Sequence, residues 1–325
     1  MPSEFPTTSH GFVLARDARA AGRQSELETE VHAQRLERVR RGVYRRPQPD
    51  PDSWSSAQRA AEAHRRQVYA ASETLRNPIF TSYSAIALHG LPIIGGWPQQ
   101  VFVLAPADHG YRRSSTVGVA RLDDVALTRV GGLVVTSIEH SLVQLCRHAT
   151  LGAALVAVEA AVAAMPWTNA VPRTTLDRLR AEHDRLTPYP GCRKVLAVLS
   201  RASSLSGSPL ETCSKLRFEE FGFPTPAQQQ RFWLPEAGMF AYVDFHWPDH
   251  GAVGEADGDG KYLSTTTTTD GVRALIDEKE RELELRRQVG AFDRWRWQHM
   301  WAGEPLAHRL RGLGLPAGPR RLALL

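Results

Sequence analysis

The stretch "VDFHWPDHGAVGEADGDGKY", residues 243–262, constrains this 325-residue chain more than any other. Two runs of alternating apolar and polar residues flank the turn sequence "PDHG", the pattern of a β-hairpin. Side chains alternate with period two along a strand, so Phe240, Tyr242, Asp244 and His246 share one face of the first run, and Val253, Glu255 and Asp257 share one face of the second. With "PDHG" as the loop, Trp247 pairs with Ala252 and the register carries Asp244 opposite Glu255. Directly opposed Cβ atoms lie only about 4.5–5.5 Å apart, and like charges placed there are destabilising. Either the acids splay into water from an edge hairpin, or a divalent cation is held between them. Mg²⁺ suits the second arrangement, since it takes one or two carboxylates together with waters and phosphate oxygens.

Other readings of the same residues fail. "DGDGK" lacks the fifth-position oxygen and the twelfth-position glutamate of an EF-hand loop, because Lys261 and Thr268 stand there. Its glycines do not run from a strand straight into a helix, which excludes a nucleotide-binding glycine loop. Two lysines come within reach of the hairpin: Lys261 follows the second strand, and Lys279 lies on "VRALIDEKERELELRR" with Ile276 and Leu283 on one stripe, predicting that it points inward. Only four of the forty basic residues are lysine, so each is a marked choice of a compact ammonium over guanidinium.

Ahead of the hairpin, "SPLETCSKLRFEEFGF" opens a helix with Ser208 at the N-cap, Pro209 at the first helical position and Glu211 at N3 of a capping box. After it come a threonine-rich loop, a helix over about 272–288, the strand "AFDRWRW" and a final helix from about 298. The order from residue 208 is helix, two strands with a further strand around 228–233, helix, strand. Earlier in the chain, residues 10–46 read as helix, turn near Gly22, second helix and the basic run "RVRRGVYRRP" opening a strand, the order in which winged-helix modules meet DNA. "RRPQPDPDSW" reads as a linker, residues 56–76 and 82–90 as helices, "QQVFVLAP" and "GLVVTS" as strands, and 137–165 as one long helical stretch. Residues 173–203 read as helical and basic, broken at "PYPG".

The net charge of +5 and pI near 9.3 permit a polyanionic partner. Three widely spaced cysteines, Cys146, Cys192 and Cys213, form neither a disulfide framework nor a zinc pattern. The N-terminal residues lack a basic segment followed by an apolar core, and the longest apolar stretch, "LGAALVAVEAAVAAM", carries Glu159. The expectation is therefore a cytoplasmic protein without a membrane partner.

A helix carrying Glu211, a strand carrying Asp244, "GEADG" with Glu255 one strand later, the helix "EKERELELR" and the strand "DRWRW" together resemble the restriction-endonuclease-like PD-(D/E)XK superfamily. Within it, the very-short-patch-repair-like endonuclease domains are the nearest likeness, over about residues 205–303. The resemblance implies that Asp244 and Glu255 ligate Mg²⁺ with help from the carbonyl of Ala256, and that Glu211 joins the acidic cluster. Asp257 stands where the superfamily's third-motif lysine is expected, which leaves Lys279 or Lys261 to orient the attacking water. The front of the chain, about residues 10–150, resembles AbiEi-type antitoxins and transcriptional regulators of actinobacteria on "GFVLARDARAAGR", "RVRRGVYRRP", "SYSAIALHGLP" and "VTSIEHSLVQLCR". That resemblance implies a winged helix whose Arg40, Arg41, Arg45 and Arg46 contact DNA phosphates, and a toxin as partner.

The expected architecture is mixed α/β (α+β): a winged-helix-like DNA-binding module at 1–50, a middle α/β region at 51–170, a helical connector at 171–205, a restriction-endonuclease-like αβββαβ domain at 206–312 and a basic tail at 313–325. The expected function is DNA binding with Mg²⁺-dependent phosphodiester hydrolysis. The alternative is a non-catalytic regulator or antitoxin that uses a degenerate nuclease fold as a scaffold.

Overall fold

A computed structural model describes residues 5–258, 269–321 and 323–325, with 269–278 as backbone only. The chain is mixed α/β and forms two compact units, one of Met1–Ala149 with Asp177–Val195, the other of Thr150–Leu176 with Leu196–Leu325. Among the described residues no helix is long and apolar enough to cross a membrane. Cys146, Cys192 and Cys213 are free thiols.

The first unit opens with β1 (Val13–Leu14), α1 (Ala15–Ala20), α2 (Gln24–His32), β2 (Glu37–Arg40) and β3 (Val43–Arg45). The strands form an antiparallel sheet in the order β1-β3-β2. Gly42, at φ +76°, closes the β2–β3 turn in a conformation that a Cβ would strain. Val13, Ala18, Leu27 and Leu36 pack into a small core beneath this sheet. Next come α3 (Ser56–Ser72), started by a complete capping box between Ser55 and Gln58, and α4 (Ser82–Leu88). The strands β4 (Val101–Leu104), β5 (Tyr111–Arg113) and β6 (Thr116–Val119) pair in the order β4-β6-β5. β7 (Leu127–Val130) and β8 (Leu133–Thr136) form a hairpin through Gly131 and Gly132, followed by α5 (Ile138–His148).

His64 of α3 is buried, stacks on Trp97 with centroids 5.0 Å apart, and donates from Nδ1 to the carbonyl of Pro98 at 3.0 Å. Burial pushes its pKa down from 6.5 to about 4, with the Pro98 bond opposing. The folded state therefore holds a neutral imidazole, whereas the unfolded chain takes up the proton near 6.5. The stabilisation is fully present above about pH 6.5 and is lost as pH falls toward about 4, in total about 3 kcal/mol. Urea unfolding across that range should show the loss in the native chain and a flatter profile in His64→Leu.

Residues 137–165 do not form a single helix. Ala149 is extended (φ −83°, ψ 169°), and Thr150 caps a new helix, α6 (Leu151–Val162), by accepting from Ala153 N–H at 3.3 Å. The hydroxyl offers the backbone a local alternative to continuing the first helix. α7 (Leu176–Leu186) and α8 (Cys192–Leu199) follow, separated by "PYPG" as the sequence predicts.

In the second unit α6 packs on α9 (Pro209–Glu220). β9 (Ala227–Leu234), β10 (Met239–Trp247), a 3₁₀ turn at Pro248–His250, β11 (Ala252–Ala256), α10 (Thr269–Gln288) and β12 (Ala291–Trp295) come next, before α11 (Trp297–Ala302) and α12 (Glu304–Gly312). The sheet runs β12-β11-β10-β9, antiparallel except for the β11–β12 pair. The order from α9 is thus αβββαβ. Its aromatic core sets Phe218 of α9 against Phe245, Trp247 and Trp295, with centroids 5.0–5.7 Å apart and the rings edge-on. Trp295 donates to Ser214 Oγ and Trp247 to the carbonyl of Pro224, both at 2.8 Å. Gly254 makes room for this cluster, since a Cβ there would lie 2.5 Å from the Trp295 ring.

The inward stripe expected on α10 is corrected. Lys279 and Leu283 are exposed, and among the described side chains of α10 the buried ones are Glu284 and Leu285. The Glu284 carboxylate accepts from the backbone N–H groups of Glu236 and Ala237, at 2.7 and 3.1 Å, in the β9–β10 turn. The carboxylate that bridges these two turn N–H groups, together with Leu285 packed on Leu234, Ala241, Val243 and Val253, turns this face of the helix toward the sheet.

Candidate active site

The candidate site is built on one rung across the sheet of the second unit. Trp247 pairs with Ala252 and Phe245 with Gly254, as the sequence predicts; the next step of that register sets Asp244 of β10 against Glu255 of β11, and both line one cavity. Glu255 in turn pairs with Arg294 of β12. On the other flank Val243 pairs with Gln230 and Phe245 with Gln228, which brings Gln229 of β9 beside Asp244. Gln229 adopts φ +52°, and this left-handed backbone turns its side chain into the site.

Each carboxylate is held by named donors. Asp244 Oδ2 accepts the Ala256 N–H at 2.8 Å, and Oδ1 lies 3.4 Å from Gln229 Nε2. Gln229 Nε2 also donates to Glu211 Oε2 at 3.0 Å, and the Gly207 N–H reaches the same oxygen at 2.8 Å. Glu211 is therefore joined to Asp244 through one amide. Ser208 caps α9 by accepting the Glu211 N–H at 3.2 Å, which fixes the first turn from which Glu211 projects. Ser208→Ala should lower stability by about 1 kcal/mol in chemical denaturation, because that N–H loses its acceptor.

Glu255 Oε2 meets Arg294 Nη2 at 2.5 Å, and the same Nη2 lies 3.4 Å from Glu282 of α10. Burial pushes the Glu255 carboxyl up; Arg294 opposes this, the Asp244 charge adds to it, and Arg281 opposes it. Trp167, Met239, Phe240, Tyr242, Asp257 and Arg281 join Asp244, Glu255 and Arg294 around a cavity of about 390 Å³.

The structure brings together Glu211, Asp244, Glu255 and Asp257 of the expected residues. It leaves Lys279 exposed, and Lys261 lies outside the described residues. Gln229, Arg281 and Arg294 carry no signature in the sequence, although Arg294 follows from aligning "FDRWRW" beside "AVGEAD". In the first unit Arg41 and Arg46 are exposed. Arg40 instead donates to Ser115 O, Ser115 Oγ and Thr116 Oγ1 at 2.9–3.2 Å, and Arg45 pairs with Glu37. Arg40 and Arg45 are thus engaged within the chain, and of the four expected phosphate contacts Arg41 and Arg46 are the ones on the surface.

Among the described residues no group of three His, Cys, Asp or Glu is arranged as a metal cage. The donor set fits Mg²⁺ nonetheless, as that ion needs only one or two carboxylates and completes its shell with water and phosphate oxygens. A second observation agrees: Gln229 Oε1 is buried and finds no hydrogen-bond partner among the described residues, a cost that a nearby water or cation would relieve. No known protein family's model matches the chain, and no curated protein matches it.

Proposed function

We propose that the protein is a DNA-binding protein whose second unit is a restriction-endonuclease-like domain hydrolysing phosphodiester bonds with Mg²⁺. The observation that carries this reading is the opposed pair of Asp244 and Glu255 in one cavity with two arginines. A scaffold gains nothing from facing two acids across adjacent strands, where their repulsion costs stability. Asp244 and Glu255 are the residues that would hold the ion, which when bound supplies Lewis-acid activation of water and charge neutralisation.

The chain's own groups have defined parts. The Ala256 N–H and Gln229 amide fix the Asp244 carboxylate, and Glu211 orients that amide. Arg294 neutralises Glu255 and, with Arg281, brings positive charge to the cavity where substrate phosphate would sit. The β–α–α–β–β order of residues 13–45 and its exposed Arg41 and Arg46 support a winged-helix role in DNA binding, with α2 as the candidate recognition helix.

Two observations favour a second reading, a transcriptional regulator or AbiEi-type antitoxin with a toxin partner and a degenerate nuclease fold. Asp257 occupies the third-motif lysine position, and the Arg294–Glu255 pair balances an acid without a metal. Calorimetric titration of Mg²⁺ and Mn²⁺, with plasmid nicking followed on the same samples, separates the two. Metal binding with metal-dependent nicking supports the nuclease, and no metal binding in the wild type rejects it in favour of the regulator.

A further inference from the structure

Four large apolar side chains stay about half exposed beside the candidate site: Trp167, Trp233, Met239 and Phe240. Strand register explains their alignment. Trp233 pairs with Phe240, Arg231 with Tyr242, and Asp244 follows two residues further along β10. Such positions recur about every 6.8 Å along a strand, so a row of rings leads directly to the carboxylates. The Trp233 and Phe240 rings lie 4.9 Å apart, Trp167 and Tyr242 also 4.9 Å apart, and the Arg231 guanidinium sits 4.2 Å over the Phe240 ring. Trp167, Met239, Phe240 and Tyr242 line the same cavity as Asp244 and Glu255.

We propose that this aromatic strip is a stacking platform for the unpaired bases of single-stranded DNA, so that the site takes a single-stranded or locally opened strand. The proposal rests on the phosphodiesterase reading for the choice of DNA. Every base has a π-face, and exposed rings interleaved with guanidinium groups bind successive bases without reading sequence. In a duplex those faces are hidden in the stack, whereas an unpaired strand offers them. Arg231 over the Phe240 ring and Arg281 in the lining of the cavity match the charge of its phosphates. A protein docked here, including a second copy of the chain, would have to cover Asp244 and Glu255 and strip water from two carboxylates. A DNA strand instead brings phosphates to the arginines and leaves the acids open to metal and water.

The test uses the full chain in EDTA, with a labelled oligonucleotide of about a dozen nucleotides, single-stranded or annealed to its complement. Trp233→Ala/Phe240→Ala should weaken single-strand binding by about 10- to 100-fold and change duplex binding less than about two-fold. Trp233→Phe/Phe240→Tyr, which keeps the rings, should restore most of the affinity. Thermal unfolding should be nearly unchanged, as both side chains are half exposed. Unchanged single-strand affinity, an equal loss on the duplex, tighter binding to RNA of the same sequence, or self-association abolished by the alanine pair would each overturn the proposal. Calorimetry with Mg²⁺ on the same variants separates the two readings: absent metal binding with a selective single-strand loss sinks the nuclease and keeps the platform. Intact metal binding with unchanged single-strand affinity does the reverse.

Discussion

Replacing Asp244 and Glu255 together by alanine is expected to abolish Mg²⁺ binding in calorimetry and to reduce metal-dependent plasmid nicking by at least about 10³-fold. The two side chains face each other in the cavity, so no second carboxylate remains on that rung to take the ion. The fold should survive the change. Gln229 loses Asp244 but keeps Glu211, and Arg294 loses Glu255 but keeps Glu282. Removing two opposed charges also relieves the repulsion between them. Glu255→Gln alone should give most of the loss, because it preserves size while removing the charge that burial already disfavours. Nicking that persists in the double variant would place the chemistry elsewhere in the chain, and unfolding of the variant would show that the pair is structural.

The hairpin was legible because its signals are local. Four turn residues between alternating runs set the register, and Gly251 accepts the left-handed conformation that ends the turn. The capped start of α9 was legible for the same reason, since Ser208, Pro209 and Glu211 each act within one turn of helix. Gln229 was not. Its role depends on a left-handed backbone in "QQQ", a conformation that no glycine or asparagine marks there. The rotation of α10 is not legible from apolar spacing alone, because the Glu284 contact runs to a turn far away in sequence. Thr150 carries a cap signal that divides residues 137–165, but the alanine-rich run that follows it reads as a continuation of the preceding helix. β5, β6 and β7 are three or four residues each and lack the unbroken apolar run that marks the equally short β4 and β8.

Glu159→Ala should lower the stability of the second unit by about 3–5 kcal/mol, the range for breaking a buried ion pair. Glu159 is fully buried in α6, where it accepts from Lys215 Nζ at 2.5 Å, Thr212 Oγ1 at 2.7 Å and the Ser203 N–H at 2.8 Å. Its loss leaves the Lys215 ammonium in a largely buried position with Gln228 Oε1, at 3.4 Å, as its remaining hydrogen-bond acceptor. The cost arises from the orphaned charge more than from the worth of the pair, so the cycle partner decides the cause. Glu159→Met/Lys215→Met, which removes both charges and keeps the volume, should recover most of the stability, and a coupling energy above about 1 kcal/mol in urea denaturation would measure the pairing. The effect reaches the candidate site through one helix. Lys215 lies one turn after Glu211 on the same face of α9, so the pair that holds α9 against α6 also sets the reach of Glu211 to Gln229. Metal affinity should therefore fall in Glu159→Ala and return in the double variant; a stability loss with unchanged metal affinity would separate the buried pair from the site.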